Sequence, residues 1–332
     1  ARPAASSGSP ARPRHFGFLL LPRFTMLAFN AAVEPLRLCN YLSEQELYRW
    51  TAMSLDGRPV QASNGFSLSV DSSTERFGDI DALFVVGGVD VDKHIHRDHI
   101  AVLRQFAKYK QPIGSLCTGA WALARADLLN GYRATIHWEN LAAMREEFPD
   151  VVVSSELFEI DRDRITCAGG VAAIDLMLAL VREEHGAALA GAVSEELLQE
   201  RIRGRNDRQR VPLRLQLGTS QPKLIEAVSL MESNIEEPIG LDELSHHVGL
   251  SRRQLERLFQ KHLQCVPTKY YLELRLRRAR QLLLQTSKSI VDVAFACGFV
   301  SAPHFSKCYR DFFGIPPRDD RRLRGERSET AI

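Results

Sequence analysis

The chain carries six cysteines, and no two of them stand in a CxxC pair. Cys39, Cys117, Cys167, Cys265, Cys297 and Cys308 lie scattered, mostly inside apolar runs, and no His/Cys group has zinc-site spacing. This argues against a disulfide scaffold and against a structural metal; it reads as the reduced thiols of a cytosolic protein. No apolar run reaches the roughly 18–20 residues that a membrane helix needs, so no membrane partner is expected. The opening stretch Ala1–Arg14 (ARPAASSGSPARPR) has no hydrophobic centre, which excludes a secretory signal and reads as a disordered tail. An excess of charge is missing too: 43 basic against 41 acidic residues leave +2. With 45% hydrophobic and 25% charged residues, neither wholesale disorder nor a fibrous chain fits.

The small net charge hides an uneven distribution. Residues 1–220 carry 25 basic and 27 acidic side chains, residues 221–332 carry 18 and 14, and residues 251–280 carry 9 and 2, a local net of +7. A basic block in a near-neutral chain points to a polyanion partner for that block. The length, 332 residues, suggests two domains or three.

The first half alternates. HFGFLLLP (15–22) is a continuous apolar run, hence a buried strand. Residues 27–42 have helical character, and 47–55 and 60–70 read as strands around the Asp56-Gly57 turn signal. DALFVVGG (81–88) is a strand ending in two glycines, followed by a helix over 98–110, a short strand over 112–116 and a helix over 118–129. The alternation continues to a long apolar helix over 172–184. It predicts a parallel α/β sheet covered on both faces, a flavodoxin-like sandwich. At RIRGRNDRQR (201–210) the apolar period stops. The expected organisation is therefore a tail to residue 14, a domain over 15–205, a linker over 206–220, an all-helical domain over 221–318 and a tail over 319–332.

The helical half contains an internal repeat. LDELSHHVG (241–249) aligns with IVDVAFACG (290–298) at an offset of 49, and SRRQLERLFQKHL (251–263) with SAPHFSKCYRDFF (301–313) at an offset of 50. Each copy reads as helix, Gly-containing turn, second helix, with Gly249 and Gly298 at the breaks: two helix-turn-helix motifs. In the first copy Leu255, Leu258 and Phe259 form an apolar stripe, which leaves Arg252, Arg253, Gln254, Arg257 and Lys261 on the other face. Arg and Gln are the side chains that read guanine and adenine edges in the major groove. Ser251 and Ser301 stand at N-cap positions, where backbone N–H groups can meet phosphate. In the second copy His304, Lys307 and Arg310 take the outer face. A charged helix face is often merely solvated; a duplicated unit with matched glycines and caps argues for double-stranded DNA. LSRRQLERLFQKHL, LRLRRARQLL and SIVDVAFACGFVSAPHFSKCYRDFFGIPP resemble the AraC/XylS family of transcription regulators over residues 221–318. That resemblance implies one helix of each repeat in the major groove, and RNA polymerase as a partner.

The segment GSLCTGA (114–120) follows a strand and opens a helix, a sharp turn that exposes Cys117 and sets it at a helix N-terminus. His137 in ATIHW and the Gly87-Gly88 pair fall at other strand ends, all on the edge of a parallel sheet where α/β ligand sites form. Cys117 also fits a small buried hydrophobe, and His137 a structural histidine. HFGFLLLP, ALFVVGG, GSLCTGAWALARADLLNG, ATIHW and ITCAGGVAAIDLMLALV resemble the PfpI/ThiJ branch of the class I glutamine-amidotransferase-like superfamily. The combination of domains resembles the GlxA subgroup of AraC-type regulators. Catalytic relatives place an acid just after the first strand, where this chain has Ala28, and peptidase-like ones place His after the cysteine, where this chain has Thr118. A thiol without its carboxylate or adjacent imidazole lacks a general base, although His137 stays available. The expectation is a non-enzymatic sensor domain without a cofactor; the alternative is a cysteine-dependent hydratase or amidase fused to a DNA-binding module. The candidate effector residues are Phe24, Phe29, Asn30, Glu34, Gly88, Val89, Cys117, Thr118, Trp121, His137 and Trp138. Two tryptophans and a glutamate suit an organic cation by cation–π contact, and both tryptophans equally fit core positions. The resemblance implies effectors such as arginine, glycine betaine or carnitine, and a homodimer formed through the sensor domain.

Overall fold

The computed structural model describes residues 12–75, 77, 79–204, 207, 209, 217, 219 and 221–329. The chain divides into two compact units, Ala1–Gln209 and Arg210–Ile332. Most of the expected N-terminal tail and of the 206–220 linker falls outside the described residues. Arg12 pairs with Asp81, and Arg14 already opens the first strand.

The first unit is built on a seven-stranded sheet. Its strands are β1 (Arg14–Leu20), β2 (Tyr48–Ser54), β5 (Ser72–Ser73), β6 (Ala82–Val86), β7 (Ile113–Leu116), β10 (Phe158–Asp161) and β11 (Arg164–Cys167), in the order β10-β11-β7-β6-β1-β2-β5. Every pairing is parallel except β10 with β11. Central strands read as continuous apolar runs because both faces are covered. In β1, Phe16, Phe18 and Leu20 enter one core while Leu19 enters the other; in β6, Ala82, Phe84 and Val86 part from Leu83 and Val85 in the same way. The first core is closed by α1 (Met26–Ser43), α6 (Ala172–His185) and α7 (Ala187–Glu196), the second by α3 (Arg97–Ala107), α4 (Ala120–Arg125) and α5 (Leu141–Glu147). Each large apolar side chain so buried contributes about 1.5–3 kcal/mol. The short α2 (Val91–His94) follows β6.

The single strand expected over 60–70 does not form. The structure has a two-residue hairpin instead, β3 (Val60–Gln61) with β4 (Ser67–Leu68), because Asn64-Gly65 turns the chain back. The pieces β8 (Arg133–Thr135) and β9 (Val152–Ser154) pair with each other in a separate parallel sheet. Helix α7 is absent from the sequence reading.

The second unit is helical: α8 (Pro222–Ser233), α9 (Leu241–His247), α10 (Arg252–Leu263), α11 (Pro267–Gln285), α12 (Ile290–Ala296), α13 (Ala302–Phe313) and α14 (Pro317–Glu329). The repeat in sequence is a repeat in structure. Helices α9 and α12 each have 7 residues, and α10 and α13 each have 12. Gly249 (φ 68°) and Gly298 (φ 73°) make the left-handed turns that side chains with a Cβ resist. Ser251 and Ser301 cap α10 and α13 by accepting from the backbone N–H of Gln254 and His304. Leu255 and Phe259 bury one copy, Phe305 and Tyr309 the other.

Helix α14 runs through residues that the sequence suggests are a tail. Its Asp320 is buried, accepts a 2.7 Å hydrogen bond from Tyr309 Oη and lies 2.8 Å from Arg280 Nε on α11. Burial, with Asp320 beside it, pushes the Tyr309 phenol well above its ordinary range. Arg321 donates to the carbonyls of Leu283 and Lys288. So α14 holds the second helix-turn-helix in place.

Candidate functional site

In the first unit, Cys117 follows β7 and opens a single 3-10 turn, Cys117–Gly119, that leads into α4. Its φ is +58°, the left-handed region that a residue with a Cβ occupies only when its surroundings enforce it. Gly169 enforces it from one side: a Cβ there would stand 2.5 Å from the Cys117 Cβ. Thr118 fixes the turn from another, its Oγ1 donating to Gly88 O at 2.7 Å. The backbone N–H of His137 points to Cys117 O at 3.4 Å. Gly88, Val89, Cys117, Thr118, His137 and Trp138 therefore gather at the C-terminal edge of the sheet.

Phe24 joins them through its backbone, which bridges Gly88, while its ring and the other expected residues lie elsewhere. Trp121 is 3% exposed and stacks edge-on to Phe148, inside the core on the opposite face of the sheet from Cys117. Helix α4 turns that side chain inward immediately after the elbow. Phe24 and Phe29 are buried together with Phe18 beneath the cleft. Asn30 is exposed on α1. Glu34, nine residues beyond Thr25 and thus about 13 Å along the helix, is bound by Arg37 at 2.7 Å.

Three contributors escape the sequence reading. Thr25 Oγ1 donates to Cys117 Sγ at 3.4 Å. Glu139 acts on both Cys117 and His137, with its Oε2 3.8 Å from His137 Nδ1. Gly169 supplies the close approach described above. Only Thr25 left a signal, as a hydroxyl residue at the head of an apolar helix.

The chemistry of this cleft follows from its partners. Burial pushes the Cys117 thiol above its ordinary range, more than the Thr25 hydroxyl and the Thr118 N–H pull it down. Burial also lowers the His137 imidazole, so it stays neutral in spite of Glu139. Ala28 is fully buried and carries no acid. Among the described residues, no base hydrogen-bonds to the sulfur; its recorded side-chain partner is a hydroxyl. Such a thiol is a wall of a cleft, not an activated nucleophile.

Near these residues in the chain, Leu27, Val89, Trp138 and Val171 are exposed by 55, 44, 37 and 52%. Each lies within two residues of a group touching Cys117 or its backbone neighbours.

In the second unit, the outer faces of α10 and α13 carry the expected side chains, Arg253, Gln254, Arg257, Lys261, His304, Lys307 and Arg310, all exposed. Their partners separate them. Arg252 lies 3.1 Å from Glu256 and 3.7 Å from Asp242. Gln254 Oε1 accepts from the Ser251 N–H, completing a capping box. His304 faces Phe299 edge-on, with Nε2 3.4 Å from Cys308 Sγ. The inner arginines are structural: Arg275 donates to the carbonyls of Cys297 and Gly298, and Arg280 pairs with Asp320. Arg253, Arg257, Lys261, Lys307 and Arg310 have no acidic partner among the described residues. Two helices thus present cations that no acid among the described residues neutralises.

An enzyme-like α/β domain whose thiol lacks a base, joined to a duplicated helix-turn-helix with uncompensated cations, defines a regulator of transcription. The comparisons agree. The DJ-1/PfpI family matches residues 29–183, and a helix-turn-helix domain family matches residues 244–323. The chain is 57% identical to the HTH-type transcriptional regulator GbdR of Pseudomonas aeruginosa over 309 residues, 93% of this chain and 84% of that protein. It is 33% identical to the HTH-type transcriptional regulator GlxA of Rhizobium meliloti over 322 residues, 97% of this chain and 99% of that protein. A crystal structure of an AraC family transcriptional regulator from Pseudomonas putida covers 56% of this chain and all of its own, with 33% identity and a TM-score of 0.53. The chain belongs to the GlxA-type HTH transcriptional regulators, which join a DJ-1/PfpI domain to an AraC-type helix-turn-helix domain. It is a DNA-binding regulator rather than an enzyme. Among the described residues no helix is long and apolar enough to cross a membrane.

Proposed function

We propose that this regulator activates catabolic genes in response to a small cation, an amino acid such as arginine or a quaternary amine, bound at the Cys117 cleft. The first domain, over residues 15–205, senses; residues 206–220 link; residues 221–318 read a promoter operator, with α14 as their support. The observation that carries the DNA-reading part is the pair of capped helices whose Arg253, Arg257, Lys261, Lys307 and Arg310 lack acidic partners among the described residues. Unneutralised cations on a helix that can enter the major groove are what phosphates and guanine edges require. The effector class is supported by the half-exposed Trp138, whose ring lies 5.8 Å from that of His137, with the Glu139 carboxylate 3.8 Å from His137 Nδ1. RNA polymerase is the partner on the promoter, the sensor domain is the homodimer contact, and the protein works in the cytoplasm, at the nucleoid when bound.

Two reading helices in one chain should occupy successive major grooves on one face of the duplex, about 10–10.5 bp apart. An operator is first selected from random duplexes with the full-length protein, with and without a pool of amino acids and quaternary amines. Inserting 5 bp between its two halves turns one half away, and binding should fall to that of a single half. Tight binding that survives the insertion overturns two-helix reading. For the effector, ligand-induced shifts in melting temperature with arginine, glycine betaine and carnitine are expected for the wild type and weaker for Trp138→Ala. No shift with any of the three overturns the effector class.

A further inference from the structure

The two reading helices share a frame but not a tip. In the first copy, Leu250 before the N-cap is half-buried against the core of the second unit, and the next exposed positions are Arg252, Arg253 and Gln254. In the second copy the counterpart of Leu250 is Phe299, 2% exposed, whose N–H bonds to Ala294 O as that of Leu250 bonds to Ser245 O; an inserted residue, Val300, then stands 88% exposed before the N-cap, with half-buried Ala302 and exposed Pro303 after it. The remaining polar side chain of that first turn, His304, lies edge-on to Phe299. Cations return only further along, at Lys307 and Arg310. An aliphatic side chain this exposed gains nothing from the fold, and the first copy, which has no residue at the inserted position, does without it.

The N-terminal turn of a reading helix is the part that reaches base edges. In the major groove the feature an aliphatic surface can recognise is the thymine C5-methyl group. The flanking Lys307 and Arg310 would hold the backbone while that surface meets the bases. We infer that the second helix-turn-helix recognises thymine methyl groups through an apolar tip of Val300, Ala302 and Pro303, whereas the first recognises purine edges through Arg253 and Arg257. This rests on the assignment of both helices as groove readers. It makes the operator chemically lopsided: one half is specified by hydrogen-bond acceptors, the other by methyl groups.

The test uses the full-length protein and the operator selected as above. The half whose base preference changes in Arg253→Ala belongs to the first helix; the other belongs to the second. Each thymine is then replaced by deoxyuridine, which removes only the methyl group. One or two replacements in the second half should weaken binding about three- to tenfold, the worth of roughly one buried methyl, with no such loss in the first half. In Val300→Ser, which alters only an exposed side chain, the same replacements should cost little. Deoxyuridine that is tolerated throughout the second half overturns the inference, as does a penalty that persists undiminished in both Val300→Ser and Pro303→Ser. Failure to select any duplex defeats the DNA-reading assignment itself and the inference with it, an outcome distinct from a selected operator that ignores methyl groups.

Discussion

The Cys117 cleft and the reading faces of α10 and α13 treat their polar groups in opposite ways. In the cleft every reactive group is already occupied: the thiol by Thr25, the imidazole by burial and Glu139, Thr118 by Gly88. Desolvation favours the uncharged form of both thiol and imidazole. On the reading faces, acids pair with Arg252, and among the described residues not with Arg253, Arg257, Lys261, Lys307 and Arg310. A scaffold whose catalytic groups are neutralised can still bind, because binding needs shape and an aromatic wall. A surface that must hold a polyanion needs the reverse, charges left without internal partners.

The contrast can be broken from either side. The largest effect is expected on the reading face: Arg253→Ala with Arg257→Ala should cost about 2–6 kcal/mol of specific DNA binding, at about 1–3 kcal/mol for each base contact. Quantitative binding to the selected operator and to random duplex measures it; equal loss on both duplexes would reduce these arginines to phosphate contacts. Next comes the support beneath the second reading helix. Asp320→Ala leaves the Tyr309 hydroxyl and Arg280 without their acceptor and should destabilise the second unit by about 2–4 kcal/mol. Urea unfolding followed by proteolytic mapping would show it, and an unchanged midpoint would contradict the role given to α14. Smaller again, Trp138→Ala should weaken a cationic effector by about 0.5–2 kcal/mol, read by calorimetric titration.

The smallest effect sharpens the comparison most. Cys117→Ser keeps volume and a polar tip, so effector binding and reporter activation should stay within about twofold of wild type. The raised thiol gives this a pH signature. A pKa above the ordinary value means the neutral thiol dominates at pH 7 and thiolate appears only as pH rises past that value. Alkylation of Cys117 by iodoacetamide, followed by mass spectrometry, should therefore be slow at pH 7 and still rising above pH 9. A rate that levels off below pH 7, together with turnover of an amide or nitrile, would restore the enzyme reading.

The two regions also differ in how far the sequence reveals them. Gly249, Gly298, Ser251 and Ser301 announce turns and caps because the backbone conformations they serve are local. The alternation of Phe16, Phe18 and Leu20 with Leu19 is equally local, and it reports which core each residue enters. Even here, Asn64-Gly65 is a turn signal that the strand expected over 60–70 overlooks. At the cleft, GSLCTGA reveals the elbow but not its company. Trp121 and Trp138 look alike in sequence, yet one lies in a core and the other stands at the rim.

What the sequence determined by itself is thus the α/β alternation, the duplicated helix-turn-helix and the thiol at a strand-to-helix turn, all set by residues within a few positions of one another. Tertiary structure alone decided which groups are neutralised. Thr25 meets Cys117 across 92 residues of chain, and Arg280 meets Asp320 across 40. Periodicity and capping act over one or two turns of backbone, whereas a hydrogen bond or an ion pair requires only proximity in space, and the fold brings those partners together.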